Sequence, residues 1–394
     1  MRKFNLIIRV LLFAILLCSS ACTSKESYNK DAGFKTISVQ TDREDQRTFS
    51  QLVDSISFIA LETKEASLIG RITKLRFHDS RIYILDKYKS NCLFVFDSTG
   101  HYLFKINESG KGPGEYVEAS GFCVTENQEI VINDHSGKKV LFYNSEGEFL
   151  RELHTDFYPS DIASLGKGLL ALTNYDPSQR LIIMGSDGKV IKREFEEEPG
   201  FGHTYTNELI TGIGSVYFRE YFEDTIFQID VDEITKKYLV DFQEKKMLKS
   251  YYLSIPFSTR NGVSDRYIPD GFRFGSHNLV ETNDYLSFYF WETPRRFNRH
   301  WCLHNKMSGQ TTYMNVNMDF DDLFGDIDPP QIVATKVQQF CFAMDSYKLL
   351  GRLDKTLKNF AENKPEALEQ VRLISEGLSN NSNPILVVFS VQVN

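Results

Sequence analysis

An all-β chain of repeated four-stranded sheets is expected here, on three observations. Aromatic residues make up 13% of the 394, with 31 Phe and 19 Tyr, which suits pleated, packed strands. A short polar turn returns along the chain at near-constant spacing. The final run, Pro384 to Val393, is a β-branched stretch suited to closing a ring of sheets and shielding its edges.

The unit is clearest between Arg81 and Ile106, where Ile82–Leu85, Leu93–Phe96 and Tyr102–Ile106 read as strands broken by polar turns. The turn Phe96-Asp97-Ser98-Thr99-Gly100 returns as Tyr143-Asn144-Ser145-Glu146-Gly147 and Met184-Gly185-Ser186-Asp187-Gly188. Looser copies start at Ile229 and His304. Positions 97, 144, 185, 230 and 305 are separated by 47, 41, 45 and 75 residues. Three of these spacings match one propeller blade, and the last contains an insertion. With a final unit from Gln339–Met344 and Pro384–Val393, six blades result. The predicted fold is a six-bladed β-propeller of four-stranded antiparallel blades.

In the turn, Asp or Asn accepts backbone N–H groups and the terminal Gly takes the left-handed conformation that re-enters a strand. A second polar position recurs at the end of each second strand, at Asp86, Asp134, Asn174, Glu220 and Glu292. These side chains either form a binding rim or cap their own turns, and capping is the simpler expectation.

At the N-terminus, Arg2, Lys3 and Arg9 lead into the apolar run Val10–Leu17, followed by Ser19, Ser20, Ala21 and Cys22. Residues 1–21 therefore read as a signal peptide whose apolar core is too short to span a membrane. Small residues directly before a cysteine resemble a bacterial lipobox, with Ser19 where Leu is usual. Cys22 is then a lipidation site, and ordinary secretion is the alternative. Residues 22–47 read as a polar tether with one short strand near Phe34–Val39, and 48–394 as the propeller.

The net charge of -8 and pI near 5.6 leave no general basic face for nucleic acid. Cys92, Cys123, Cys302 and Cys341 are scattered through apolar strands with no CxxC or Cys/His cluster, so no metal or cofactor is expected and buried free thiols are. Two segments break the β pattern. Gln243–Asp284 carries aromatic, Arg and turn residues. Asp345–Leu378 reads as a helical insertion in the last blade, with Pro365 near a helix start and Leu368, Val371, Ile374 and Leu378 on one face.

The motif Gly110-Lys111-Gly112-Pro113-Gly114-Glu115-Tyr116, with Leu61-Glu62-Thr63, Ile69-Gly70-Arg71-Ile72 and Asn383-Pro384-Ile385-Leu386, resembles the six-bladed β-propeller lipoproteins of Bacteroidota. The resemblance runs from about Leu52 to Val393. It implies an NHL-like propeller of mostly undefined activity, lipid-anchored in the cell envelope at the outer membrane, on its periplasmic or surface side. The motif's spacing does not fit a phosphate loop, so it is expected to shape a crossing between blades, anchored by Glu115 and Tyr116.

No GxSxG elbow or HExxH pair is present. The most suggestive stretch is Trp291-Glu292-Thr293-Pro294-Arg295-Arg296-Phe297-Asn298-Arg299-His300-Trp301. Trp291, Glu292, Arg295, Arg296, Arg299, His300 and Trp301 are its candidate ligand-binding residues, because aromatic faces beside Arg forks suit sugars, uronates or peptide carboxylates. A noncatalytic propeller binding a glycan, peptide or envelope protein at its ring mouth is the first expectation. A glycoside hydrolase or lyase with a site gathered from several blades, and a scaffold or sensor, are the alternatives.

Overall fold

The second and third strands of each sheet are apolar on both sides because each sheet is sandwiched between two others. The structure, a computed structural model, describes residues 33–40, 44–45, 47–174, 179–196, 208–212, 214–219, 224–254, 270–293, 298–316, 321–324 and 332–392. The expected signal peptide, Cys22 and the first part of the tether lie outside them.

The chain opens with β1 (Lys35–Ser38) and β2 (Val53–Ala60). Blade 1 holds β3 (Lys74–His78), β4 (Arg81–Asp86), β5 (Cys92–Asp97) and β6 (Tyr102–Ile106). Blade 2 holds β7 (Ala119–Val124), β8 (Ile130–Asp134), β9 (Lys139–Tyr143) and β10 (Phe149–His154). Blade 3 holds β11 (Pro159–Gly166), β12 (Leu169–Asn174), β13 (Leu181–Gly185) and β14 (Val190–Glu194). Blade 4 holds β15 (Glu208–Thr211), β16 (Val216–Arg219), β17 (Thr225–Ile229) and β18 (Ile234–Asp241). Blade 5 holds β19 (Arg273–Glu281), β20 (Tyr285–Glu292), β21 (Arg299–Asn305) and β22 (Thr311–Asn315). Blade 6 combines β23 (Ile332–Lys336), β24 (Gln339–Met344) and β25 (Ile385–Val391) with β2 as its outer strand.

The fold is the predicted six-bladed propeller. Every residue of β8, β9 and β13 is buried, whereas the outer strands β6, β10 and β14 are largely half-buried or exposed. Ring closure joins the two ends of the chain, with Val53 opposite Val391 and Ala60 opposite Ile385. Phe389, Phe49, Phe340, Phe342 and Trp301 pack together around this seam. Cys92, Cys123, Cys302 and Cys341 are free and buried, as expected.

The end of the expected tether is part of the body. β1 adds a fifth strand to blade 4, parallel to β18, with Lys35 opposite Tyr238 and Ser38 opposite Asp241. Ile37 and Val39 are buried there, and Glu44 then bridges to Tyr313 on the edge of blade 5. The sequence marks this short strand near Phe34–Val39 but not its docking on blade 4, because its partner β18 is distant along the chain.

The last blade carries the expected helical insertion, as helices Ser346–Leu350, Leu353–Asn363 and Pro365–Glu376. Pro365 has no N–H to donate and disfavours a helical residue before it, so the break falls at Lys364. The helices cover the outer edge of β2. Lys364 Nζ donates to Val53 O at 2.6 Å and Gln370 Nε2 to Phe58 O at 3.2 Å, while Phe360 packs on Phe58 and Phe324. Of the segment Gln243–Asp284, a 3-10 turn Gln243–Lys245, helix Lys249–Ser254 and β19 are described.

Strand alternation sorts the connections onto two faces. First-to-second and third-to-fourth strand turns leave at the lower end and span two to five residues. Second-to-third turns and blade-to-blade links leave at the upper end, including 107–118, 242–272, 316–331 and 345–384.

Candidate functional site

The recurring polar residues at the ends of second strands lie on the upper face and act as clamps. Asp86 accepts from the Gly70, Lys89 and Ser90 amides, and Asp134 from the Val117, Glu118 and Gly137 amides. Asn174 accepts from the Tyr158 amide. Asp86 and Asp134 hold the incoming blade-to-blade link against their own turns, and Asn174 holds the link at Tyr158, so all three side chains are engaged in clamping. Glu220 lies outside the described residues. The lower turns behave likewise: Asp97 accepts from the Thr99 and His101 amides, and Gly100 closes that turn at φ +97°.

GKGPGEY crosses from blade 1 to blade 2 as expected. Glu115 accepts from the Gly112 amide, and the buried Tyr116 hydroxyl donates to Asn91 O and Ile106 O. Gly114 passes over the Phe149 ring at φ +77°, and its amide donates to Glu152, which also pairs with Lys139 at 3.0 Å. Both anchors are internal to the crossing.

The stretch from Trp291 to Trp301 divides, because successive strand residues face opposite sides. Trp301 is fully buried in the seam, with its indole N–H donating to Ser287 Oγ at 2.5 Å, so it belongs to the core and not to a ligand site. Glu292 and His300 face blade 4. Glu292 accepts from Arg273 Nε at 2.6 Å, and Arg273 also donates to Val39 O and to the Tyr313 hydroxyl. His300 stacks on Phe290 at 4.9 Å and meets Tyr313 edge-on. Burial pulls its pKa down to about 4, with Arg273 assisting and Glu292 opposing. Glu292 is therefore the half-buried partner of the buried Arg273, and His300 is a buried ring.

Trp291 and Arg299 face the other side, toward blade 6. Trp291 stacks on His277 at 5.7 Å and 8°, and the Arg299 guanidinium lies 5.2 Å from the Tyr289 ring and 6.0 Å from Trp291. Both are half-buried. Arg295 and Arg296 lie outside the described residues. Of the seven candidates, Trp291 and Arg299 are brought together on a partly open surface, joined by His277 and Tyr289.

Sequence reasoning missed a second polar group, at the upper end of the inner strands of blades 1 to 3. Lys74 opens β3 and reaches past blade 2 to Asp161 on β11, Nζ to Oδ1 at 2.5 Å, with a second bond to Ile162 O at 3.3 Å. The side chains are 12% and 20% exposed. Burial lowers the Lys74 pKa, Asp161 pulls it back up, and Arg76 lowers it further. Between the two blades, Gly121 has no side chain to obstruct the pair: a Cβ there would lie 2.5 Å from Asp161 Oδ1 and 2.6 Å from Asn133 Oδ1. Asn133 Nδ2 donates to Ser120 Oγ and Pro159 O, while its fully buried Oδ1 meets no donor among the described residues. No linear motif marks this group, since its members come from three blades.

Among the described residues, no three His, Cys, Asp or Glu side chains are placed to hold a metal ion. A shallow pocket low between blades 5 and 6 is lined by Arg47, Tyr285 and Gln310, but Arg47 is bound to Asp45 and the Tyr285 hydroxyl to Gln392 O.

Among solved structures, the chain is similar to a Bacteroides fragilis protein thought to be exported. The two share 19% identity with a TM-score of 0.74, over 91% of this chain and 100% of that one. It is also similar to a member of the DUF4221 family from Bacteroides vulgatus, at 10% identity and TM-score 0.49, over 87% of this chain and 98% of the other. A catalytically inactive virginiamycin B lyase from Staphylococcus aureus with quinupristin matches at 15% identity and TM-score 0.44, over 73% and 82%. At such identities the likeness is one of fold. No curated protein matches the chain. Residues 34–390 match the model described as domain of unknown function DUF4934, and the chain belongs to that family.

Proposed function

We propose that this protein is a cell-envelope lipoprotein, anchored through Cys22, whose propeller binds a glycan, peptide or protein partner at its upper mouth without transforming it. One observation carries the binding reading: from β2 to β25, the strand connections longer than five residues leave on the upper face, while the turns of the lower face span two to five residues. Recognition surfaces are characteristically built on variable loops held by a rigid scaffold. The mouth of that face also holds the Lys74, Asp161 and Asn133 group. Export agrees with the charged, apolar and small-residue order of residues 1–22.

The test is a glycan and peptide binding screen on the purified mature chain, with product analysis of every binder. Binding with the ligand recovered intact is expected. Turnover that disappears on Lys74→Met would overturn the noncatalytic reading. Mass spectrometry of membrane-fractionated protein should find a diacylated Cys22, and unmodified soluble protein would remove the anchor.

A further inference from the structure

We infer that the upper rim over blades 1 to 3 binds an acidic glycan, a chain of uronate sugars, which specifies the partner in the reading above and rests on it. Two tyrosines stand open there, Tyr88 in the turn after β4 at 64% exposure and Tyr158 in the link before β11 at 44%. Each has cations at its ring. The Arg71 guanidinium lies 5.3 Å and Lys87 Nζ 5.6 Å from the Tyr88 ring centre, and Lys138 Nζ lies 3.9 Å from that of Tyr158. The ring quadrupole attracts and so positions such a cation. Lys87 pairs with Glu118 at 2.9 Å, whereas Arg71 and Lys138 form no ion pair among the described residues.

The two tyrosines belong to one connected surface. Glu118 takes Lys87 from the Tyr88 turn and accepts from Ser136 Oγ at 2.7 Å, and the neighbouring His135 ring lies 5.6 Å from that of Tyr158. The backbone beneath is already fixed, because Asp86, Asp134 and Asn174 bond the amides of these same turns and links. Binding there spends little on ordering loops. A uronate sugar engages either end with one residue: its C–H face stacks on the tyrosine ring while its carboxylate meets the cation beside that ring. Between the ends, sugar hydroxyls both donate and accept, as Glu118 and Ser136 require. A polyphosphate would instead set dense like charge against Glu118 and against Asp156, whose side chain is 72% exposed. An acidic peptide brings carboxylates without the flat ring beside them.

The experiment is calorimetric titration of the purified mature chain with oligogalacturonate, with its carboxyl-reduced form and polyglutamate as comparisons. Oligogalacturonate should bind, less tightly as salt is added, and carboxyl reduction should weaken it about tenfold or more. Tyr88→Ala and Tyr158→Ala should each weaken binding about tenfold, with the melting temperature retained because both side chains are exposed. Arg71→Ser with Lys138→Ser should erase the preference for the acidic over the reduced chain, and decides the matter if a tyrosine variant fails to fold. Tyr347→Ala, at an exposed tyrosine of the helical insertion, should leave binding unchanged. Equal affinity for the reduced chain, or binding untouched by the tyrosine and cation substitutions, would overturn the inference. Polyglutamate binding without oligogalacturonate binding would overturn it and leave the ring-mouth reading intact. Binding of none of the three would also overturn it, while the wider glycan and peptide screen decides the ring-mouth reading.

Discussion

Blades 1 to 3 and blades 4 to 6 share one repeat but treat their outer edges differently. In blades 4 to 6 each edge is covered, by β1 on β18, by residues 44–45 on β22, and by the helical insertion on β2. In blades 1 to 3, β6, β10 and β14 have no outer partner among the described residues, and Leu103, Phe149, Leu150 and Ile191 are exposed along them. Charges guard these open edges, including Arg151 with Glu129 and Arg193 with Asp156. The comparison teaches that interruptions of the repeat serve architecture first. The insertion and the N-terminal strap cover edges of blades 4 to 6.

Four measurements would break or sharpen this contrast. The largest effect is expected at the covered half's seam. Trp301→Ala removes a fully buried ring and should cost about 3–5 kcal/mol in denaturant unfolding. A loss below about 1 kcal/mol would return Trp301 to the candidate ligand residues.

Next is His300, whose folded pKa of about 4 lies below the ordinary histidine value of 6.5. The unfolded chain therefore binds more protons between those values, so stability should fall as pH drops from about 6.5 to 4, by on the order of 3 kcal/mol. His300→Phe should flatten that part of the pH profile measured by urea midpoints. An unchanged slope would mean that the ring is not held neutral.

A smaller, local loss is expected on releasing β1. Ile37→Ser with Val39→Ser should lower hydrogen-exchange protection along β18 by about 2 kcal/mol, with β14 unchanged. Equal protection would show that the strap is not seated. The smallest effect belongs to an open edge: Asp156→Asn, breaking a pair whose aspartate side chain is 72% exposed, should change stability by less than about 1 kcal/mol. A larger loss would mean that the open half depends on its rim charges.

Several features were readable because their chemistry is local. The Asp97 turn bonds residues two and four positions away, and the Asp86 and Asp134 clamps reach link residues 16 and 17 positions back along the chain. Pro365 announces its helix through its own ring. Trp291 to Trp301 shows what a linear reading lacks: a compact cluster in sequence becomes two opposite faces and a core residue, because a strand alternates its side chains.

By itself, the sequence determined the repeat, the turn chemistry, the number of blades and the closing strand, since each rests on residue types recurring at fixed short range. Tertiary structure alone decided which edges are covered and what stands at the mouth. Lys35 pairs with a residue on blade 4, and Lys74 reaches Asp161 across a glycine of the blade between them. No periodicity encodes such meetings. They arise only once the ring has closed and brought distant strands side by side.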